Sequence, residues 1–296
     1  MTRVDLKAMG RRAREASHRL AILPTEVRNA TLKGIACQLE AAGDELWEAN
    51  EADLVEARQA QLPPALIDRS TLTPKRLQGM VQGCRDVAAL PDPLGEIFDG
   101  STRPNGLRVA KKRVPLGVLA VIFESRPNVT IEISALSIKS GNAVIMRGGK
   151  ECLRTNTVLA DLVRQACQAI GAPLDAVQLI TSTDRALVPQ LLAMDEVIDL
   201  VIPRGRRGLQ NLVKQHAKMP VIYGGIGVCH LYVDQSADLH KSVAIINNAK
   251  TQAPSVCNAL DTVLVHRAVV NELMPAMVAD LNACGVKVLC DPVSLE

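Results

Sequence analysis

The chain has 296 residues and a formal net charge of +3, and 48% of its residues are hydrophobic although only 2% are aromatic. This length is more than one typical core needs and predicts two, both built from aliphatic side chains. The scarcity of aromatic rings removes the stacking surfaces that single-stranded nucleic acids need, and the small charge attracts a phosphate backbone weakly. No nucleic-acid partner is therefore expected.

The sequence carries no signal for a membrane or for export. The N-terminal segment has mixed charges and lacks an apolar core before a small-residue cleavage site. The longest apolar run, 116–123, is too short to cross a bilayer. The eight cysteines form no C-x-x-C pair and no zinc-type spacing, so we expect reduced thiols, no metal and a cytoplasmic protein.

The first part of the chain is predicted to be helical. Apolar residues recur at helical spacing in 5–23, and Thr25 is expected to cap a second helix. Asp44 is expected to begin a third helix, and Thr73 followed by Pro74 is a typical helix start.

From residue 116 onward, apolar runs alternate with helical segments. The runs LGVLAVIF, NAVIMRG, AVQLI and VIDLVIP are predicted strands, and the helices between them include one that closes at Gly141 and one that ends at Gly171. This alternation predicts right-handed crossovers and a parallel sheet with helices on both faces. The predicted class is α/β, a doubly wound nucleotide-binding fold whose ligands lie at the carboxyl ends of the strands.

We predict three parts along the chain. Residues 1–97 and 116–224 form the dinucleotide-binding domain. Residues 98–115 form an exposed oligomerisation arm or hairpin, because polar and apolar residues alternate in the run GLRVAKKRVPLG. Residues 225–296 are the N-terminal portion of a second α/β domain, catalytic in function, with strands in VCHLYVD, ALDTVLVH and VKVLC. A unit of about 70 residues is small for an independent core.

Three loops after predicted strands carry candidate binding groups. Arg126 and Asn128 follow the first strand, where Asn128 either satisfies backbone donors at a helix start or aims its amide at a developing oxyanion beside an anion clamp. The segment 147–151, RGGKE, is either a glycine-rich turn or a close backbone approach to a ligand. Arg206 and Arg207 at a helix start call for a negative partner such as a pyrophosphate, or are simply solvated.

Cys257 is the candidate nucleophile, in the stretch TQAPSVCNALDTVLV. A reactive thiolate needs stabilisation by a helix N-terminus or a cation, and Lys250 is the nearest candidate. No His/Asn pattern of a cysteine peptidase accompanies it, so attack on an already activated acyl group is the chemistry that fits. From this pattern alone, a buried structural cysteine is favoured.

The specific runs NAKTQ-x-PSVCN and RPNVT, with SIKSGNAVIMRGGKECLRTN, IDLVIPRG and IYGGIGVCH, make the chain resemble the gamma-glutamyl phosphate reductases of the aldehyde dehydrogenase superfamily. The resemblance covers essentially everything after the N-terminal helices. It implies reduction of L-glutamyl 5-phosphate to L-glutamate 5-semialdehyde and phosphate in L-proline biosynthesis, with NADPH as cofactor. Glutamate 5-kinase and a second copy of the chain are the partners that we expect.

The resemblance also implies residue roles. Cys257 would expel phosphate and form a thioacyl enzyme, while Asn128 and the backbone N–H of Cys257 would bind the oxyanion. Arg147 would lie where the superfamily contacts the adenosine ribose, and Gly205 would face the pyrophosphate. The cofactor-binding set is Arg147, Gly148, Gly149, Lys150, Gly205, Gly224 and Gly225. The substrate-binding set is Arg126, Lys250, Thr251 and Gln252.

One departure from the superfamily suits a reductase. Tyr223 precedes Gly224 where oxidising aldehyde dehydrogenases carry a general-base glutamate. A base that activates water would hydrolyse the thioester before hydride arrived, so the sequence disfavours the alternative of an oxidising aldehyde dehydrogenase.

Other departures from the family's sequence pattern predict reduced activity. Ala253 stands where the family has an arginine, and Arg206 and Arg207 replace residues that are usually small. The family continues past Glu296, so this polypeptide alone is expected to turn over weakly or not at all. The alternative function is that of a non-catalytic, truncated relative that binds NADP(H) only.

Overall fold

The N-terminal part is helical, as its apolar spacing predicts. Its helices are α1 (Leu6–Ala21), α2 (Thr25–Glu40), α3 (Asp44–Gln59), α4 (Pro64–Ser70) and α5 (Pro74–Ala89). Asp5 caps α1 and Thr73 caps α5, each by accepting a backbone N–H of the first turn. The prediction that Thr25 caps α2 is wrong, because Thr25 is the first helical residue and its hydroxyl donates instead to the carboxylate of Asp92.

The structure is a computed structural model that describes residues 4–225, 227–254 and 256–292. The chain divides into two compact units, Met1–Gly224 (unit 1) and Gly225–Glu296 (unit 2). None of the described helices combines the length and the apolar character that crossing a membrane requires.

An exposed ribbon precedes the sheet of unit 1. Its strands, β1 (Ile97–Thr102) and β2 (Arg108–Lys112), pair antiparallel, and only Phe98 among their residues is partly buried. The sequence predicts a hairpin here, and its role in oligomerisation stays a prediction.

A four-stranded parallel sheet organises unit 1, in the order β5-β4-β3-β6. All residues of the central strand β3 are buried, which confirms the doubly wound α/β class that the apolar runs predict. The elements are β3 (Val118–Phe123), α6 (Pro127–Lys139), β4 (Ala143–Arg147), α7 (Leu153–Ile170), β5 (Val177–Leu179), α8 (Leu187–Leu192), β6 (Leu200–Arg204) and α9 (Arg207–His216).

The order of the strands locates a crevice. β4 and β5 extend the sheet to one side of β3, whereas β6 returns to its other side, with Arg204 paired to Phe123. In open α/β sheets, ligands bind outside the carboxyl ends of the strands at such a reversal. The segments that follow β3, β4 and β6 are therefore where a cofactor site is expected.

Unit 2 has a smaller framework. It contains β7 (His230–Val233), α10 (Leu239–Thr251), β8 (Thr262–Val265) and α11 (Val270–Ala283), and β7 pairs with β8 in parallel. Residues 286–290 form no strand, contrary to the prediction, although Val286 and Val288 pack against the core of this unit. The fully buried core consists of Val233, Ile246, Leu260, Leu273, Met277 and Leu281.

Candidate functional site

The three loops that follow β3, β4 and β6 meet at one edge of the sheet. A Cβ added to Gly149, after β4, would lie 3.0 Å from the backbone nitrogen of Ser125, after β3. A Cβ added to Gly205, after β6, would lie 2.9 Å from the carboxylate of Glu124. Unit 1 thus brings together the three segments that the sequence singles out.

The glycine pair after β4 has a packing reason. A Cβ on Gly148 would lie 2.5 Å from Nδ2 of Asn156 and 3.3 Å from the ring of Phe123, and one on Gly149 would collide with the carboxylate of Glu151. The volume that side chains would take is filled by the protein's own groups. Both glycines therefore allow the β4 loop to pack closely against the β3 loop, whatever the loops bind.

Arg147 is a half-buried cation at the end of β4. Its Nη2 donates to the carbonyl of Thr183 at 3.5 Å, while its Nε is buried and has no hydrogen-bond partner in the described part of the chain. Burial lowers the pKa of Arg147, and the positive charge of Arg185 lowers it further, against the opposing effect of Glu151 and Asp184. A desolvated guanidinium with an unused donor fits an anionic group of a ligand.

Glu124 supplies the negative partner that the start of α9 calls for. Each of its carboxylate oxygens accepts the backbone N–H of Arg206, the N-cap residue, at 3.3 Å. The side chains of Arg206 and Arg207 are exposed and, within the described ranges, form no ion pair. Glu124 is not among the predicted site residues, although it is the first polar residue after β3.

The backbone is strained directly after Glu124. Ser125 has a φ of 23°, in the left-handed region that residues with a Cβ rarely adopt. Its side chain is buried, and its hydroxyl donates to Glu151 at 3.2 Å. Such strain persists only where the surrounding contacts hold it, and it often marks a functional loop.

Asn128 lies inside α6 rather than at its cap. The N-cap residue is Arg126, which makes no side-chain capping bond, so the alternative in which Asn128 satisfies backbone donors at the helix start is wrong. The Asn128 amide donates to Glu132 at 2.6 Å, one turn further along the helix. A role in binding an oxyanion stays a prediction, and it requires this bond to open.

In unit 2, Cys257 is exposed, so the alternative of a buried structural cysteine is wrong for this residue. The thiol of Cys229 donates to the carbonyl oxygen of Cys257 at 3.5 Å and helps to fix the peptide that follows the nucleophile candidate. By contrast, Cys84, Cys152 and Cys167 of unit 1 are buried, and burial raises the pKa of these thiols to about 11, about 12 and about 12.

The other predicted site residues either form hydrogen bonds within the chain or are exposed to solvent. Lys250 donates to the carbonyl of Leu260 at 2.8 Å, and the hydroxyl of Thr251 donates to the carbonyl of Asn247 at 2.8 Å. The C-cap residue of α10, Gln252, is exposed. Lys150, Gly224 and Gly225 are exposed as well, and the last two stand on either side of the division between the units.

Comparison with known proteins defines the class. A family model described as the aldehyde dehydrogenase family matches residues 1–292. Together with the parallel sheet and the crevice at its strand reversal, this match indicates an aldehyde dehydrogenase-type oxidoreductase.

Similar proteins narrow the class. The gamma-glutamyl phosphate reductase of Roseiflexus castenholzii is 54% identical over 97% of this chain and 68% of its own length, and that of Psychromonas ingrahamii is 49% identical over 97% and 69%. The crystal structure of gamma-glutamyl phosphate reductase from Thermotoga maritima superposes with a TM-score of 0.86 at 41% identity, over 96% of this chain and 68% of that one. The chain belongs to the gamma-glutamyl phosphate reductase family and spans about two thirds of the length of these relatives.

Proposed function

We propose that this chain reduces L-glutamyl 5-phosphate to L-glutamate 5-semialdehyde and phosphate, as a step of L-proline biosynthesis, with NADPH as reductant and Cys257 as nucleophile. Family membership supports the reaction. The observation that carries the role of Cys257 is its exposure within a run that is highly specific for the family, with its carbonyl oxygen hydrogen-bonded to Cys229.

Cys257 acts through its thiolate. The sulfur attacks the acyl carbon of the substrate, the carbon–oxygen bond to phosphate breaks, and phosphate leaves with the electron pair, which gives a thioester on Cys257. A reduced nicotinamide held by the loops of unit 1 would supply the hydride that the thioester carbon accepts. The resulting tetrahedral oxyanion re-forms its carbonyl while the carbon–sulfur bond breaks and the sulfur keeps the electron pair, which releases the aldehyde and returns the thiolate.

Two donors would stabilise the oxyanion of each tetrahedral stage. These are the Asn128 amide, once it releases Glu132, and the backbone N–H of Cys257. Tyr223 stands before Gly224, where oxidising aldehyde dehydrogenases carry a glutamate. This position therefore offers no base that would activate water against the thioester.

The loops after β3, β4 and β6 would hold the cofactor. The unused, buried Nε of Arg147 fits an anionic or ribose oxygen, and the exposed ammonium of Lys150 would add the second charge that favours the 2′-phosphate of NADPH over NADH. Gly205 would face the pyrophosphate. The proposed cofactor-binding set also contains Gly148, Gly149, Gly224 and Gly225. These glycines would let the backbone approach the cofactor closely and would contribute no charge.

The substrate would bind through side chains next to the two catalytic positions. Arg126, half-buried at the N-cap of α6, offers a guanidinium for the phosphate or the α-carboxylate. Lys250, Thr251 and Gln252, at the end of α10, offer an ammonium, a hydroxyl and an amide.

The reverse reaction tests the proposal. L-Glutamate 5-semialdehyde, NADP⁺ and phosphate are incubated with the protein, and NADPH is followed by its absorbance. We expect Cys257→Ser to lose roughly 10³-fold or more of the rate, and Cys284→Ser, an exposed thiol of the same unit, to keep the wild-type rate. A full rate in Cys257→Ser would eliminate the thioacyl mechanism.

The small core of unit 2 favours a second candidate, a protein that binds NADP(H) through unit 1 without turnover. It predicts that saturating NADPH stabilises the folded protein by a few kcal/mol. It also predicts no NADPH formation from semialdehyde at any protein concentration. Measurable turnover that depends on Cys257 would exclude it.

The ribbon of β1 and β2 supports a homodimer as part of this proposal. The exposed side chains of Ile97, Leu107 and Val109, on and beside two free strand edges, provide apolar surface and backbone groups for a second copy. Light scattering after gel filtration tests this, and Ile97→Lys is expected to shift the mass toward the monomer. Glutamate 5-kinase, whose product is the substrate, and the cytoplasm as location stay predictions.

A further inference from the structure

The start of α9 already holds an anion that belongs to the protein. Both carboxylate oxygens of Glu124 lie 3.3 Å from the backbone nitrogen of Arg206. α9 has 10 residues and no acidic residue in its first turn, so Glu124 is the carboxylate that complements the positive end of this helix. The contact joins β3 to β6 across the strand reversal where a dinucleotide is expected.

The neighbouring backbone is built around this carboxylate. Gly205 has no room for a side chain, because a Cβ there would lie 2.9 Å from both Cδ and Oε1 of Glu124. The backbone N–H of Glu124 donates to the carbonyl of Arg204 at 3.3 Å, which holds the two loops side by side. The strained residue Ser125 follows immediately. The carboxylate is therefore packed against the β6 loop and is not a freely solvated side chain.

We propose that Glu124 is an internal competitor for the phosphate groups of the dinucleotide, and that it must leave the start of α9 before a phosphate can bind there. This inference rests on the proposed function, since it assigns to Glu124 the control of affinity at the same cofactor site. Glu124 is an affinity-determining residue in this account and takes no part in the chemistry.

The physical reason is that one set of backbone donors faces two candidate anions. The N–H groups at a helix start bind phosphate well, but a phosphate that meets them here would lie within a few ångströms of a half-buried carboxylate and be repelled by it. Only the fraction of molecules in which Glu124 has turned away can bind. The apparent dissociation constant is raised by the reciprocal of that fraction.

Removing the negative charge of Glu124 distinguishes two roles of this side chain: competition with a phosphate, and support of the β6 loop. Glu124→Gln keeps a side-chain oxygen that accepts the Arg206 N–H, but it removes the negative charge. If Glu124 competes, the variant binds phosphate-bearing ligands more tightly, by about 5- to 20-fold. If Glu124 only supports the β6 loop, the affinity of the variant is unchanged or lower.

The experiment is calorimetric titration of the wild-type protein and two variants with NADPH and, separately, with inorganic pyrophosphate. Asp161→Asn is the control, because it also removes one carboxylate charge, from an exposed position on α7 outside the three loops. We expect the dissociation constants for both ligands to fall in Glu124→Gln and to stay near the wild-type values in Asp161→Asn. Circular dichroism confirms that each variant is folded.

Glu124→Asp gives a second arm should the glutamine variant be unstable. Its carboxylate is drawn back by one methylene, and we expect a smaller gain in affinity. Equal or weaker binding in both Glu124 variants, an equal gain in Asp161→Asn, or no binding of either ligand to any form would overturn the inference. A gain for pyrophosphate without any NADPH-dependent turnover would contradict the proposed function and leave the role of Glu124 intact.

Discussion

The two units bury their apolar side chains to very different extents. In unit 1, a central strand that is buried along its whole length joins a cluster that extends from Leu6 to Met219. In unit 2, Val233 is the only buried residue among those of β7 and β8, and the core is a handful of side chains. Unit 1 therefore has the core to fold on its own, whereas unit 2, which carries Cys257, gains little from its own burial.

Truncating one core residue in each unit tests whether the two cores stabilise the protein independently. Ile145 and Leu273 are both almost fully buried. We expect Ile145→Ala to lower the free energy of unfolding of unit 1 by about 2–5 kcal/mol. Leu273→Ala should abolish the slow amide exchange of unit 2 and leave that of unit 1 unchanged. Hydrogen exchange with peptide-level resolution measures both, and a loss of protection in both units of either variant would show that they fold as one.

Substituting two glycines of unit 1 is expected to change its stability by smaller amounts. Gly148→Ala should cost about 1–3 kcal/mol, because its Cβ would overlap Asn156 and press on the ring of Phe123. Gly208→Ala, in α9, is the control: its Cβ would meet nothing within 4 Å, and alanine in a helix should stabilise by up to about 1 kcal/mol. Urea denaturation measures the difference, and similar effects from both substitutions would contradict the packing of the β4 loop.

Acid should weaken unit 1 slightly, by protonating the carboxylate of a partly buried ion pair between Arg28 and Asp92. Burial alone would raise the pKa of Asp92, but hydrogen bonds from Arg28 and Thr25 outweigh it and lower the pKa from 3.8 to about 2. Arg28 lies 2.6 Å from this carboxylate and is itself buried. A lowered pKa means that the stabilisation is complete above about pH 4 and is lost as the pH falls toward 2.

The measurement is the pH dependence of unfolding in Asp92→Asn. We expect the wild-type protein to lose of the order of 1 kcal/mol more between pH 4 and pH 2 than Asp92→Asn does, since a partly solvated carboxylate is screened. Asp161→Asn, on the exposed side of α7, should follow the wild-type curve. Parallel curves for the wild-type protein and Asp92→Asn would show that this ion pair contributes nothing.

Local patterns were sufficient to predict the elements of unit 1. Four apolar runs predicted the four strands of its sheet, Gly141 and Gly171 marked helix ends with left-handed φ angles, and Thr73 with Pro74 marked the start of α5. These signals lie within a few residues of the structure that they determine. Because each signal is close in sequence to the element that it determines, a single sequence is enough to predict these elements.

The failures depend on partners that are distant in sequence. Thr25 bonds to Asp92, and Glu124 to Arg206, 82 residues away, so neither contact has a local signal. Residues 286–290 have a strand-like alternation, but a strand exists only where another backbone pairs with it. For the site, the convergence of three loops followed from the predicted sheet, whereas the internal carboxylate at α9 did not.

The proposed reaction depends on acylation of one sulfur atom, which peptide mapping by mass spectrometry can locate. Freshly prepared L-glutamyl 5-phosphate is added without reductant, the reaction is quenched in acid, and the protein is digested. We expect a glutamyl adduct on the peptide that contains Cys257 and none in Cys257→Ser. An adduct on Cys229 or Cys284 in its place, or an unmodified Cys257 after saturating substrate, would contradict the proposed reaction.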